Sequence, residues 1–174
     1  MGQPTFSKRI DLEFDRLRNL QMIKWNNNLL GFLEKARTSL ESPRILGRRD
    51  IFGRSLLHYA AMGGCTDLLL YLLQKKPNID SRDMHGRTPL SWAAEYSSLA
   101  AVKILLDHGA TINARDYENS TPLAYLLHAG NPNNADREAT KAMLTEKKSR
   151  NALKKSWIWI LSYFRLRSYV RSDI

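Results

Sequence analysis

The chain is poor in cysteine, glycine and proline, and each shortage closes off a class of protein. Cys65 is the single cysteine among 174 residues. No intramolecular disulfide can form, and a cysteine-based zinc site lacks ligands, which favours a reducing compartment. With 9 Gly and 6 Pro, the composition is neither collagen-like nor low-complexity. Long hydrophobic runs are missing too. The longest near-apolar stretch, Trp157 to Phe164, falls far short of the roughly 20 residues that span a bilayer. No secretory leader is expected, because Asp11, Glu13 and Asp15 interrupt the first stretch and no apolar segment follows a basic start. Met1-Gly2 begins a myristoylation pattern that Phe6 breaks where Ser or Thr is needed. An intracellular location, cytoplasm or nucleus, is the expectation.

Catalytic and metal-binding patterns are also wanting. None of G-x-S-x-G, G-x-x-x-x-G-K-[ST] or H-E-x-x-H occurs. His58, His85, His108 and His128 show no i, i+4 pairing and have no cysteine partners. The sequence therefore predicts no catalytic residue, no metal, no cofactor and no small-molecule substrate.

What the chain does have is a core and an uneven charge. Hydrophobic residues make up 43%, enough to bury one domain's interior. The formal net charge is +10. Residues 1–49 hold ten basic against five acidic side chains, residues 50–130 seven against eight, and residues 131–174 ten against four. A nearly neutral middle with basic flanks fits poorly with a dedicated nucleic-acid domain, which puts its charge on one ordered face.

The middle repeats with a period of 33. Asp50, Asp83 and Asp116 superpose, followed three positions on by Gly53, Gly86 and Asn119. Then come Ser55-Leu56-Leu57-His58-Tyr59-Ala60-Ala61, Thr88-Pro89-Leu90-Ser91-Trp92-Ala93-Ala94 and Thr121-Pro122-Leu123-Ala124-Tyr125-Leu126-Leu127. Leu69 to Leu73 matches Val102 to Leu106, and Ile79 matches Ile112. A fixed period of this size marks a stacked-repeat architecture. Gly53, Gly86 and Asn119 fall where a tight turn needs a positive φ. Ser55, Thr88 and Thr121 are predicted helix N-caps, with Pro89 and Pro122 at the first helical position. The Ala pairs permit close helix approach. Leu69, Leu70, Leu72 and Leu73, like Val102, Ile104, Leu105 and Leu106, form the apolar stripe of a second helix, and Gly109 stands where a helix end takes a left-handed residue. Asp83 and Asp116 are accounted for by turn geometry. One unit cannot bury its own apolar face, so about three or more must stack.

These segments resemble the ankyrin-repeat family. Asp83-Met84-His85-Gly86-Arg87-Thr88-Pro89-Leu90-Ser91-Trp92-Ala93-Ala94 is similar to its turn-and-first-helix signature, and His108 to Ala114 to its return loop. The wording around Gly86 to Glu95 is most similar to arrays of filamentous fungi, which often end larger signalling proteins with nucleotide-binding modules; this chain carries no such module. The resemblance implies an all-α solenoid of about three helix-turn-helix repeats with helical N- and C-terminal extensions. It also implies a protein-interaction scaffold or adaptor without catalytic activity, whose protein partner the sequence does not identify.

The repeats are expected at 50–82, 83–115 and 116–146. Residues 1–49 read as a helical cap or a degenerate repeat. Ile10, Phe14, Leu17 and Leu20 or Gln21 follow helical spacing, as do Leu29, Leu33, Ala36 and Leu40, with Asn26-Asn27-Asn28 between. Leu40 lies one period before Leu73 and Leu46 one before Ile79. The third unit loses the Ala pair to Leu126-Leu127, lengthens its loop at Asn131-Pro132-Asn133-Asn134, and is expected to form a capping helix from about Asp136, its N-cap, to Glu146. Residues 147–174 combine Lys147, Lys148, Arg150, Lys154 and Lys155 with Trp157, Trp159 and Phe164. This basic tail admits three readings: a capping helix on the last repeat, an amphipathic element at an anionic membrane surface, or a nucleic-acid contact. The last two make the main rival function, an adaptor with the repeats as scaffold.

The family's contact positions, carried over residue by residue, fall on Ile51, Phe52 and Arg54 at the first turn tip, Met84, His85 and Arg87 at the second, and Tyr117, Glu118 and Ser120 at the third. On the ends of the first helices they fall on Met62, Glu95, Tyr96 and His128. Aromatic and thioether side chains at such tips suit a binding hot spot; packing on the neighbouring repeat is the alternative for Phe52 and Met84. His58 is expected to be a hydrogen-bonded histidine bridging turns, Cys65 an inert thiol, and Asn119-Ser120-Thr121 a turn and cap instead of a glycosylation acceptor.

Overall fold

A computed structural model describes residues 5–129 and 135–146, in which all regular structure is helical. Eight α-helices occur among the described residues: α1 (Phe6–Arg18), α2 (Asn27–Thr38), α3 (Leu56–Met62), α4 (Thr66–Gln74), α5 (Pro89–Glu95), α6 (Leu99–Asp107), α7 (Pro122–His128) and α8 (135–146). A short 3-10 helix, Pro43–Gly47, joins α2 to the first turn. The tail readings for 147–174 and the lengthened loop at 131–134 lie outside the described residues.

The starts of the short helices follow from single side chains. Thr88 Oγ1 accepts the Ser91 N–H and Thr121 Oγ1 accepts the Ala124 N–H, both at 3.3 Å. Pro89 and Pro122 follow at the first helical position, where no N–H is missed. The preceding turns need left-handed backbone, with φ of +72° at Gly53, +80° at Gly86 and +62° at Asn119.

Two rows of helices result. α3, α5 and α7 pack side by side, and α4 packs on α6 behind them. Ala60, Ala61, Ala93 and Ala94 are fully buried between the rows, where larger side chains would hold the helices apart. Leu68, Leu69, Leu72 and Leu73 of α4 face the core, as do Val102, Leu105 and Leu106 of α6. Each such side chain contributes roughly 1.5–3 kcal/mol when fully buried. Leu70, expected in the stripe, points outward instead and is 39% exposed, because its neighbours at 69 and 73 already take the inner face.

The N-terminal pair departs from the repeat order. Leu40 and Leu46 do pack against the core, yet Leu40 lies past the end of α2 and Leu46 in the 3-10 helix. The helix packed on α4 is α1, not α2. Ile10, Phe14 and Leu17 seal it there. Glu13 reaches across to the start of α4, where its carboxylate accepts the N–H groups of Asp67 (3.1 Å) and Leu68 (2.6 Å). Of the three asparagines expected to separate α1 from α2, only Asn26 stays outside the helix; it caps α2 by accepting from Asn28 and Leu29. At the other end, α8 already includes residue 135, so Asp136 is not its N-cap. Arg137 donates instead to the Leu126 and Leu127 carbonyls at the end of α7.

Candidate partner-binding surface

Three aspartates build three like turns. In each, one carboxylate oxygen accepts two backbone N–H groups: Phe52 and Arg54 onto Asp50, His85 and Arg87 onto Asp83, Glu118 and Ser120 onto Asp116, all between 2.7 and 2.9 Å. The other oxygen accepts from an aromatic residue nine positions on. The donors are the Tyr59 hydroxyl, the Trp92 indole N–H (2.9 Å) and the Tyr125 hydroxyl. Burial alone would raise the Asp116 carboxyl. The bonds from Tyr125, Ser120 and Glu118, with the Arg87 charge, outweigh it and hold the group below the usual carboxylate range. Tyr125 is pushed the other way, up to about 12, by burial and then by its bond to Asp116.

Adjacent turns are tied directly. The Met84 N–H donates to the Phe52 carbonyl (3.0 Å) and the Tyr117 N–H to the His85 carbonyl (3.1 Å). His58 adds a further tie. Its Nδ1 accepts the Ser55 N–H (3.1 Å), which leaves Nε2 carrying the proton toward the Arg87 carbonyl of the next turn (3.3 Å).

The anchored aromatics and the turn arginines alternate along the inner row. The Arg54 guanidinium lies 4.6 Å from the Phe52 ring centre and 4.5 Å from that of Trp92. Arg87 lies 3.6 Å from Trp92 and 3.8 Å from Tyr125. Both arginines are under 10% exposed. Arg87 is neutralised by Glu95. The residue that occupies the Glu95 position one repeat earlier is Met62, and Arg54 Nε and Nη1 have no hydrogen-bond partner among the described residues.

The expected contact residues thus divide. Ile51, Met84 and Tyr117 each follow the turn aspartate directly and are 61%, 55% and 71% exposed. His85 and Glu118 stand beside them, exposed, and His128 is exposed at the end of α7. Tyr96 is exposed at the end of α5, its hydroxyl 3.4 Å from the Met22 sulfur. Phe52, Glu95 and Ser120 are half-buried. Arg54, Arg87 and Met62 do not lie on the surface as expected. The arginines are enclosed between rings, and Met62 is core, 1% exposed. The pattern of tip positions could not show this, because burial of an arginine depends on the aromatics at Asp+9 of the neighbouring repeat.

Cys65 is fully buried under α1, its thiol 3.7 Å from the Glu13 carbonyl. Burial, and then the Glu13 charge, push it up to about 12. Among the described residues no group of three or more His, Cys, Asp or Glu is placed to hold a metal ion, and no helix is long and apolar enough to cross a membrane.

A family model for ankyrin repeats, in three copies, matches residues 23–116, just over half of the chain. No curated protein matches the chain. The match reaches upstream of the first Asp turn to include α2 and stops at Asp116.

Proposed function

The chain belongs to the ankyrin-repeat family, and on that premise we propose that it is a non-catalytic interaction module that binds a protein partner through its turn tips and the ends of its first helices. One observation carries the reading. The position after each turn aspartate holds a large apolar side chain, and all three, Ile51, Met84 and Tyr117, are more than half exposed. Their own fold gains little from that exposure, and an aligned apolar row is the composition of a binding hot spot. The ties between turns fix the row before any partner arrives, which lowers the ordering cost of association.

The test uses the full chain as bait against extract, beside the Ile51→Ala/Met84→Ala/Tyr117→Ala variant. Because these side chains are exposed, the melting temperature should stay within a few degrees. Recovery of specifically captured proteins should fall at least about tenfold. Equal recovery by both baits would remove the tips from the interface.

A further inference from the structure

We infer that the groove between α2 and the first turn is a docking site for an acidic, extended segment of the protein partner, an inference that rests on the interaction-module reading above. The groove is open, measures about 630 Å³, and is lined by Asn27, Asn28, Gly31, Phe32 and Lys35 from one side and by Arg48, Arg49, Asp50 and Ile51 from the other. It begins where the row of exposed tips begins, at Ile51.

Charge states what it takes. Lys35, Arg48 and Arg49 are exposed and make no ion pair among the described residues. The one acid in the lining, Asp50, is spent inside its turn, with its oxygens on the Phe52 and Arg54 N–H groups and the Tyr59 hydroxyl. Those bonds leave Asp50 its charge, so the lining carries three cations against one carboxylate, an excess of positive charge even though Arg49 also borders the neighbouring cleft by Ser55 and Ser81. Like charges held together at an exposed site repel, and an anionic segment relieves that. The cations are few and the floor includes Phe32, which suits an acidic peptide with an apolar residue better than a nucleic-acid backbone, which calls for a longer track of phosphate contacts. An open cleft also suits a passing chain better than a small molecule, which pockets usually enclose.

Gly31 supplies the second observation. It sits inside α2, where glycine costs roughly 0.5–1 kcal/mol relative to alanine. A Cβ built on it meets nothing within 4 Å, and its φ is not in the left-handed region. Among the described residues, neither packing nor backbone geometry requires a glycine here. Its effect is to keep the wall of the groove low beside Lys35, one helical turn on.

The experiment measures anisotropy of a fluorescein-labelled peptide of alternating Asp, Glu and Leu on the full-length protein, with proton–nitrogen correlation spectra to locate the binding. Lys35→Glu/Arg48→Glu/Arg49→Glu should weaken binding at least tenfold. Lys8→Glu/Lys75→Glu/Lys103→Glu, with the same net charge, should change it less than threefold. Gly31→Leu, which projects a side chain into the groove without altering charge, should also weaken it at least tenfold while leaving the melting temperature unreduced. Shifted resonances should centre on Asn28, Gly31 and Ile51. Equal losses in the two charge variants, full binding by Gly31→Leu, or shifts confined to Met84 and Tyr117 would overturn the inference; the last would leave the tip reading standing. Tighter binding of a labelled oligonucleotide, lost with the same groove variants, would overturn the protein segment as occupant. Should the tip variant of the preceding section keep its partners while the groove binds the peptide, the tip reading fails and the groove does not.

Discussion

His58 is fully buried between two turns, and its ionisation is set by that position. Burial lowers its pKa to about 4, with Asp83 and the Arg87 carbonyl opposing and Arg49 adding to the shift. In the unfolded chain the ordinary value is about 6.5. Between the two, the unfolded state binds a proton that the folded state does not, so stability falls as pH falls through that window. From pH 7 to pH 5 the loss should be on the order of 2 kcal/mol. Glu13, raised by burial, acts with the opposite sign above the ordinary carboxylate range, so the wild-type slope alone does not isolate the imidazole. The His58→Ser variant does, since Ser91 is the residue the next repeat uses at this place. Urea unfolding at pH 7, 6 and 5 should show a shallower pH dependence in the variant; parallel curves would mean that the imidazole is not held neutral. The two stacked arginines give a contrast of the same kind. Among the described residues Arg54 has two buried nitrogens without partners, against one in Arg87, and no ion pair, so Arg54→Leu should be close to neutral, within about 1 kcal/mol, because the desolvation cost leaves with the charge. Arg87→Leu should cost more, about 1–3 kcal/mol, since it strands Glu95 and removes the stack between Trp92 and Tyr125. Denaturant midpoints of the two variants decide the order.

At the scale of elements, the end of the stack is closed by α1, and Cys65 reports on it. The thiol lies beneath α1 and is kept protonated by burial, so its reaction rate in the native protein measures how often α1 lifts. Phe14→Ala removes a side chain that is 1% exposed in the α1–α4 contact, a change worth about 3–5 kcal/mol in a well-packed site. Thiol labelling by an aromatic disulfide should then accelerate at least tenfold while helical circular dichroism keeps most of its amplitude; an unchanged rate would show that something other than α1 covers Cys65. This contact also marks how far the sequence could be read. The turns at Asp50, Asp83 and Asp116, the Thr-Pro starts and the left-handed Gly53, Gly86 and Asn119 are each fixed within a few residues, and the period of 33 exposes them. Ile10, Phe14 and Leu17 gave α1 its helical spacing for the same local reason. Its place on α4 was not legible, because it rests on Glu13 capping residues 54 and 55 positions away. Among the candidate contact residues, Ile51, Met84 and Tyr117 carry a signal in the repeat itself. The burial of Arg54, Arg87 and Met62, and the groove beside α2, arise only when neighbouring units are brought together.

For the whole molecule, the consequence of stacking is that each unit is held by its neighbours and by little else. The tips are joined by two backbone bonds, Phe52 carbonyl to Met84 N–H and His85 carbonyl to Tyr117 N–H, with His58 to the Arg87 carbonyl adding to the first joint and Arg82 to the Arg115 carbonyl adding to the second, so one joint can be loosened while the other stays closed. Gly86 is the place to cut. Its φ is +80°, and a Cβ there would lie 2.9 Å from the Tyr117 ring and 3.0 Å from the Tyr117 backbone nitrogen. A ring can turn aside, but the nitrogen cannot move without giving up its bond to His85. Gly86→Ala should therefore cost about 2 kcal/mol, the strain of a left-handed alanine added to a broken inter-turn bond. The loss should be local. Amide exchange should quicken at Tyr117, Glu118 and Ser120, while Met84 keeps its protection, because its bond to Phe52 belongs to the other joint. Partner capture should weaken as well, since Tyr117 would no longer stand in line with Met84 and Ile51. If Tyr117 keeps its native protection in the variant, the joint has accommodated the added Cβ with its bond to His85 intact and the predicted cut fails. If Met84 loses protection equally, the stack behaves as one block and the nearest-neighbour account of its rigidity fails.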